Sequence, residues 1–168
     1  IDGPFMNEAG RIGCIAEIER MEVLEDGRSL ILVKGVERFR ILEEVDTPDV
    51  PYFEARVELV PDQQVALDEL LARRTASLEL FHAVLRRVDG LPAPLPEFDI
   101  ASEISYPLAG TVDTKPVWHQ ALLEDVDERT RLDRVDQVFQ AARRKIDQDE
   151  DDKDSEFGSD DPTEFGGE

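Results

Sequence analysis

Two histidines, one cysteine and a surplus of carboxylates are the side chains of this sequence that could do chemistry, and their spacing decides which chemistry is open. His82 stands beside Phe81 in a long stretch of helical apolar periodicity, and His119 stands beside Trp118. Neither has a second His or a Cys at metal-ligand spacing, so both read as structural or surface residues rather than ligands or bases. Cys14 falls on the apolar side of a strand pattern, with no base beside it in sequence to activate the thiol, and reads as inert packing. A lone cysteine also excludes an intramolecular disulfide and any multi-cysteine zinc site. Paired acids such as Glu17 and Glu19 arise by chance in so acidic a chain, and these two sit on the polar face of a strand. A general acid or base needs a desolvated pocket instead. Ser102, Ser105 and Lys115 supply the residue types of a Ser–Lys dyad, but no glycine-rich nucleophile turn surrounds them.

Nucleotide chemistry finds no support either, because neither a Gly-x-x-x-x-Gly-Lys-Ser/Thr loop nor a Gly-x-Gly-x-x-Gly turn is present. The spaced acids Asp147, Asp149 and Asp151 are followed by Asp152 where a calcium-binding loop requires glycine. The sequence therefore assigns no catalytic, cofactor-binding or metal-ligating residue. A hydrolase with a site assembled from scattered Asp, Glu and His remains the alternative, and it would need His82 or His119 beside a buried carboxylate in a deep pocket.

The elements that carry these residues follow from periodicity. Ile12, Cys14, Ala16 and Ile18 recur at period two, the signature of a half-buried strand, although Ile15 breaks the alternation. Asp26-Gly27 predicts a tight hairpin turn. Leu30 to Val33 is apolar on both faces and reads as a central strand. Gly35 then marks a bulge or a close backbone approach, and Phe39 and Ile41 are expected to face the core. After a loop containing Pro48 and Pro51, the residues Phe53, Ala55, Val57 and Leu59 form one strand face opposite Tyr52, Glu54, Arg56 and Glu58.

Composition changes at Asp62. From there to Val88 no Gly or Pro intervenes, and Leu67, Leu70, Leu71, Leu78, Phe81, Val84, Leu85 and Val88 recur at three-to-four spacing. That predicts a long helix capped by Asp62 and stopped at Asp89-Gly90. Leu91-Pro-Ala-Pro-Leu-Pro reads as a stiff extended connector. Asp99 is expected to cap a short helix, and Pro116 to sit in the first turn of another. Leu132, Val135, Val138, Phe139, Ala142 and Ile146 line a final helix, with Arg143-Arg144-Lys145 in its last turn. From Asp147 onward the chain is too acidic and too poor in aliphatics to offset the entropy of ordering, so disorder is expected. Its Glu156-Phe-Gly and Glu164-Phe-Gly segments read as a solubilising tail, or as docking phenylalanines presented among acids.

The formal net charge is −21, and residues 147–168 hold 11 acids against one base, so close to half of the excess sits in the tail. Such a charge repels phosphate backbones and anionic headgroups, which argues against nucleic acid as a partner. The longest purely apolar run, Leu30 to Val33, is far too short for membrane insertion. A reducing compartment, cytoplasm or plastid stroma, suits the single cysteine. No signal or transit pattern opens the chain and it does not begin with Met, so a processed or truncated product is expected.

Three stretches carry a resemblance. Gly10-Arg-Ile-Gly-Cys-Ile-Ala-Glu-Ile, Leu32-Val-Lys-Gly-Val-Glu-Arg-Phe-Arg-Ile-Leu and Pro51-Tyr-Phe-Glu-Ala-Arg-Val together resemble the amino-terminal substrate-recognition domain of the Lon protease family. They also resemble the stand-alone LON-domain proteins that lack ATPase and protease parts. His119-Gln-Ala-Leu-Leu-Glu, followed by Arg131-Leu132, is similar to the family's helical signature near the carboxyl end of that domain. The resemblance spans roughly residues 4 to 146. It implies an α+β fold: an antiparallel, β-rich, PUA-like lobe over residues 1–61, a helical lobe over 62–146 and a disordered acidic tail over 147–168. The family's pattern opens upstream with a Pro-Leu-Phe-Pro-Leu-type strand and a Phe-Glu-Pro-Arg-Tyr-type segment, and this chain starts after both. A sheet lacking strands, with an exposed edge and exposed apolar surface, is therefore expected.

No catalytic residue carries over, since the family's phosphate loop and Ser–Lys dyad lie in later domains. What the resemblance implies is a non-catalytic module without cofactor, whose partners are unfolded or degron-bearing polypeptide, or a protease or chaperone. Binding cores are usually aromatic and apolar, which makes Tyr52 and Trp118 the contact candidates, with simple burial of either as the competing reading.

Overall fold

The computed structural model describes residues 8–47, 51–88 and 94–157, with side chains described as far as Glu150. The element order is β1 (Ile12–Val23), β2 (Ser29–Val45), β3 (Glu54–Leu59), α1 (Leu67–Leu85), α2 (Ser105–Ala109), α3 (Pro116–Glu124) and α4 (Glu128–Phe157). This is the expected α+β arrangement, an antiparallel sheet of order β1-β2-β3 followed by helices. The chain divides into two compact units, Ile1–Gln64 with Thr114–Glu128, and Val65–Asp113 with Arg129–Glu168.

In the first unit the hairpin closes where the sequence places it. Leu24 N–H donates to the Arg28 carbonyl at 2.7 Å and Gly27 N–H to the Leu24 carbonyl at 3.0 Å. Gly27 adopts φ 82°, so the loop takes the three-residue form, in which a left-handed glycine follows an ordinary turn, rather than the two-residue form. Asp26 accepts hydrogen bonds from the Arg28 amide at 3.0 Å and from its Nε at 2.7 Å. These bonds hold the Asp26 carboxyl below its ordinary value, the Arg28 side chain contributing most. Irregularities interrupt the β1–β2 register between Ile15 and Ala16 and between Ile18 and Arg20. Gly13 lies opposite Phe39, and a Cβ there would run into the ring tip at Cζ and lie 2.8 and 2.9 Å from the two Cε atoms.

The strand that contains Leu30–Val33, β2, is central in the sheet as expected, but this segment of it is not buried. Its residues pair with β1, whereas β3 pairs with β2 only from Phe39 onward, and all four are exposed. The expected apolar face of β3 fares similarly: Phe53, Val57 and Leu59 are exposed, while Ile41 on β2 is buried and Phe39 half-buried. Sequence alternation sets which residues share a face, but cover has to come from another element.

Cover in this unit is organised by a cation. Arg38 is buried and donates to the Leu123 carbonyl at 3.1 Å, to the Asp125 carbonyl at 2.6 Å and to the Asp62 carboxylate. A helix C-terminus leaves such carbonyls without intrahelical donors, and a guanidinium can satisfy several at once. Gln120 Nε2 adds a bond to the Ile12 carbonyl at 3.0 Å, and Pro116 occupies the first turn of α3 as expected. Among the described residues of the unit, the buried aliphatics are Ile12, Ile41 and Leu122.

In the second unit α1 begins at Leu67 after Ala66, without a side-chain cap. The Asp62 cap is therefore not made, because that carboxylate is engaged by Arg38. The buried stripe of α1 includes Arg74 and Ser77 between its aliphatic positions. Arg74 donates to the Ile100 carbonyl at 3.0 Å, and Arg73 reaches the Ser77 hydroxyl at 2.6 Å as well as Asp133 and Asp136 on α4 at 2.7 and 2.8 Å. Asp99 does not cap α2. It closes a turn by accepting from the Ala101 amide and the Ser102 hydroxyl, each at 3.0 Å. At the start of α2 itself, Glu103 accepts from the Tyr106 amide at 3.2 Å.

Arg131 has no exposed surface; it donates to the Ser105 hydroxyl at 2.8 Å, lies 3.6 Å from Glu103 and stacks 4.6 Å from the Tyr106 ring centroid. Buried charge is tolerated when it is paired in this way. Phe81 packs against Phe98 and Phe139 at centroid distances of 5.8 and 5.3 Å. The expected stripe of α4 is correct, with Leu132, Val135 and Phe139 buried.

The expected end of α4 is not. The helix continues from Ile146 to Phe157, so Arg143-Arg144-Lys145 lies mid-helix and residues 147–157 are helical rather than disordered. No Gly or Pro occurs between Glu128 and Phe157 to stop it, and Arg87 holds the extension through Asp147 and, at 2.5 Å, through Glu150. The remaining tail residues 158–168, including Phe165, lie outside the described residues. So do residues 1–7, residues 48–50 of the proline loop, the Asp89-Gly90 stop and the first part of the proline connector.

Candidate functional site

The turn end of the β1–β2 hairpin, beyond the buried Ile12 and Ile41, is the feature of the first unit that stays exposed among the described residues. Directly opposed partners in an antiparallel pair project to the same face. Ile18 lies opposite Val33 and Met21 opposite Ile31. Because Ile31 and Val33 are two residues apart on β2, all four belong to one face. They are 59%, 47%, 62% and 56% exposed in that order. The alternate pairs, Glu17 with Lys34, Arg20 with Leu32 and Glu22 with Leu30, make the other face charged, apart from Leu30 and Leu32. A contiguous apolar strip of this kind is the usual mark of an interaction surface. The hairpin around it carries five acids, Glu17, Glu19, Glu22, Glu25 and Asp26, against three bases, Arg20, Arg28 and Lys34.

The two contact candidates fall in the same unit. Tyr52 is exposed in the bend before β3, followed by an equally exposed Phe53. Trp118 is half-buried on α3 and meets His119 edge-on at 5.0 Å. Among the described residues no ring contact joins Tyr52 to Trp118. The aliphatic hairpin face was the larger surface, and sequence alone hides it: the irregularity between Ile18 and Arg20 breaks the alternation, and Leu30–Val33 reads as core.

Of the residues considered for chemistry, both histidines and both serines make structural hydrogen bonds. His82 bonds the Pro96 carbonyl at 2.8 Å, and His119 bonds the Thr114 hydroxyl at 2.9 Å. Among the described residues neither imidazole bonds a carboxylate. Ser105 is buried between Glu103 and Arg131, Ser102 is held by Asp99, and Lys115 is the exposed residue before α3. Cys14 departs from expectation: it is exposed, its thiol donating to the Ile15 carbonyl at 3.4 Å, because burial along the edge strand β1 ends after its first residues. Glu17 and Glu19 are exposed as expected. Among the described residues no group of three or more His, Cys, Asp or Glu could hold a metal ion, and no helix is long and apolar enough to cross a membrane.

Comparison with known proteins gives a consistent result. The family described as the ATP-dependent protease La (LON) substrate-binding domain matches residues 1–139. The chain is 28% identical over 140 residues to the Lon protease of Paraburkholderia phytofirmans, covering 80% of this chain and 17% of that protein. It is 33% identical over 128 residues to Lon protease 2 of Herpetosiphon aurantiacus, covering 72% and 15%. The chain thus spans less than a fifth of the length of these relatives. Among solved structures, the N-terminal domain of Mycobacterium avium complex Lon protease superposes with a TM-score of 0.58 at 22% identity, over 78% of this chain and 70% of that one.

Proposed function

The chain belongs to the ATP-dependent protease La (LON) substrate-binding domain family, and from that premise we propose that it is a non-catalytic recognition module that holds polypeptide clients through the exposed apolar face of its hairpin. The observation that carries the reading is the exposed strip Ile18, Met21, Ile31 and Val33. An apolar strip on a hairpin with a small excess of acids favours segments that combine hydrophobic side chains with basic ones, and the hydrophobic side chains are what unfolding exposes. Tyr52 and Phe53 extend the supply of exposed apolar surface in the same unit. A protease or chaperone that receives the client is the partner class this role requires.

The test pairs Met21→Thr with Ile31→Thr, since threonine, branched at Cβ, suits a strand and removes the apolar reach. Both positions are exposed, so stability should change by no more than about 0.5 kcal/mol. Affinity for a fluorescein-labelled 15-residue peptide of lysine, glycine, serine and three leucines, read by anisotropy at fixed salt, should fall at least tenfold. Unchanged affinity in a variant of unchanged melting behaviour would remove the hairpin from the binding role.

A further inference from the structure

The second unit contains a cavity of about 320 Å³. Two helices build its floor: Phe81, Val84 and Leu85 recur on one face of α1, and Phe139 and Ala142 on one face of α4. Pro94, Leu95 and Pro96 form one wall, and the bond from His82 to the Pro96 carbonyl fixes that wall to α1. Thr111 and Val112 form the other.

The chemistry of the lining is one-sided. Among the described lining residues Thr111 is the only one with a hydroxyl, and that hydroxyl is turned to the Leu108 carbonyl at 2.7 Å. Pro94 and Pro96 have no backbone N–H to offer. Sites for small metabolites orient their ligands with a few convergent polar groups, and the described lining is almost wholly apolar. An apolar cavity of roughly 150 Å³ already accommodates benzene, so this one has room for a phenyl, indole or branched aliphatic group. Exposed carboxylates stand next in sequence to both walls, Glu97 after Pro96 and Asp113 after Val112, in a chain of net charge −21.

We propose that this cavity is an anchoring pocket for one bulky apolar side chain, phenylalanine above all, presented by a client polypeptide with basic flanking residues. The inference rests on the polypeptide-binding reading and adds to it a second, single-residue subsite. The backbone of the client stays outside, so the cavity needs no polar groups of its own. Specificity comes from volume and from the absence of hydrogen-bonding partners, which rejects polar side chains.

The experiment uses the whole chain with labelled Val and Leu methyl groups and three probes. These are N-acetylphenylalanine amide, a 12-residue lysine-glycine-serine peptide with one central phenylalanine, and the same peptide with alanine in its place. The phenylalanine peptide is expected to shift the methyl signals of Val84, Leu85 and Val112. The alanine peptide should bind about 10- to 100-fold more weakly. Ala142→Leu, which fills the cavity from α4, should cause a comparable loss; if it alters the thermal melt, Val112→Gln on the outer wall takes its place. If the phenylalanine peptide binds without moving these signals, or binds the filled variant equally well, the pocket is overturned and polypeptide recognition stands. If no peptide binds while the amide moves the signals, the polypeptide reading itself is overturned, and the client anchor with it.

Discussion

Replacing Arg38 tests the claim that a buried guanidinium organises the first unit. Arg38→Met keeps the length and apolar stem while deleting bonds to the Leu123 and Asp125 carbonyls and to the Asp62 carboxylate. Charge-assisted hydrogen bonds contribute about 1.5 to 3 kcal/mol each, so a plain sum would overshoot. Two effects reduce it. The Asp62 side chain is 39% exposed and can rehydrate, which makes its share small. Methionine also avoids the desolvation cost of the buried cation. The loss is then dominated by the two stranded carbonyls, and about 3 kcal/mol is expected. Asp62→Asn leaves both carbonyl bonds in place and should cost about 1 kcal/mol. Trp118, the one tryptophan of the chain, sits on α3 and reports unfolding of this unit by fluorescence. With a urea slope of about 1.5 kcal/mol/M, the midpoint for Arg38→Met should drop by about 2 M. A loss below about 1 kcal/mol, or an Asp62→Asn loss equal to that of Arg38→Met, would show that the carbonyls do not depend on Arg38.

Two further outcomes follow from the hairpin. The Asp26 carboxyl, held low by the Arg28 side chain and then by its amide, should titrate below an ordinary aspartate by carbon-detected NMR and move back toward the ordinary range in Arg28→Gln, which keeps the amide bond. Since its folded-state pKa is depressed, whatever the contact adds to turn stability is present above the unfolded-state pKa and disappears as pH falls through the folded value. Gly13→Ala should cost about 1 to 2 kcal/mol through the clash with Phe39, and distinctly less in a Phe39→Leu background; equal costs in both backgrounds would mean that the ring is not what excludes a Cβ.

The elements were more legible in the sequence than the cover they receive. Asp26-Gly27, Pro116 and the α4 stripe announced their structure because each depends on local geometry: a left-handed glycine, a missing N–H, a 3.6-residue period. Leu30 to Val33 did not announce its exposure, because an apolar strand has the same sequence whether or not anything packs on it. Arg38 and Arg131 were passed over since charged residues are seldom buried, and their burial depends on carbonyl and hydroxyl acceptors distant in sequence. The continuation of α4 to Phe157 was hidden behind a run of acids that looks too polar to order, although no breaker interrupts it before Gly158. Of the candidate surfaces, the aromatic positions could be named from sequence, but the hairpin strip required knowledge of register, and the apolar cavity required the chain on either side of residues 89–93 to be placed.

The bonds that close the first unit span 85 residues from Arg38 to Leu123 and 108 from Ile12 to Gln120, and this imposes an order on the birth of the protein. A hairpin forms within about ten microseconds, whereas a ribosome adding about 5 to 20 residues per second takes roughly 4 to 15 s to pass from the end of β2 at Val45 to Gln120. Throughout that interval the strands exist without α3, and Arg38 has no carbonyls to hold. A release or cleavage anywhere from Val65 to Asp113 would leave the first unit in that unfinished state, since the stretch Thr114–Glu128 belongs to it.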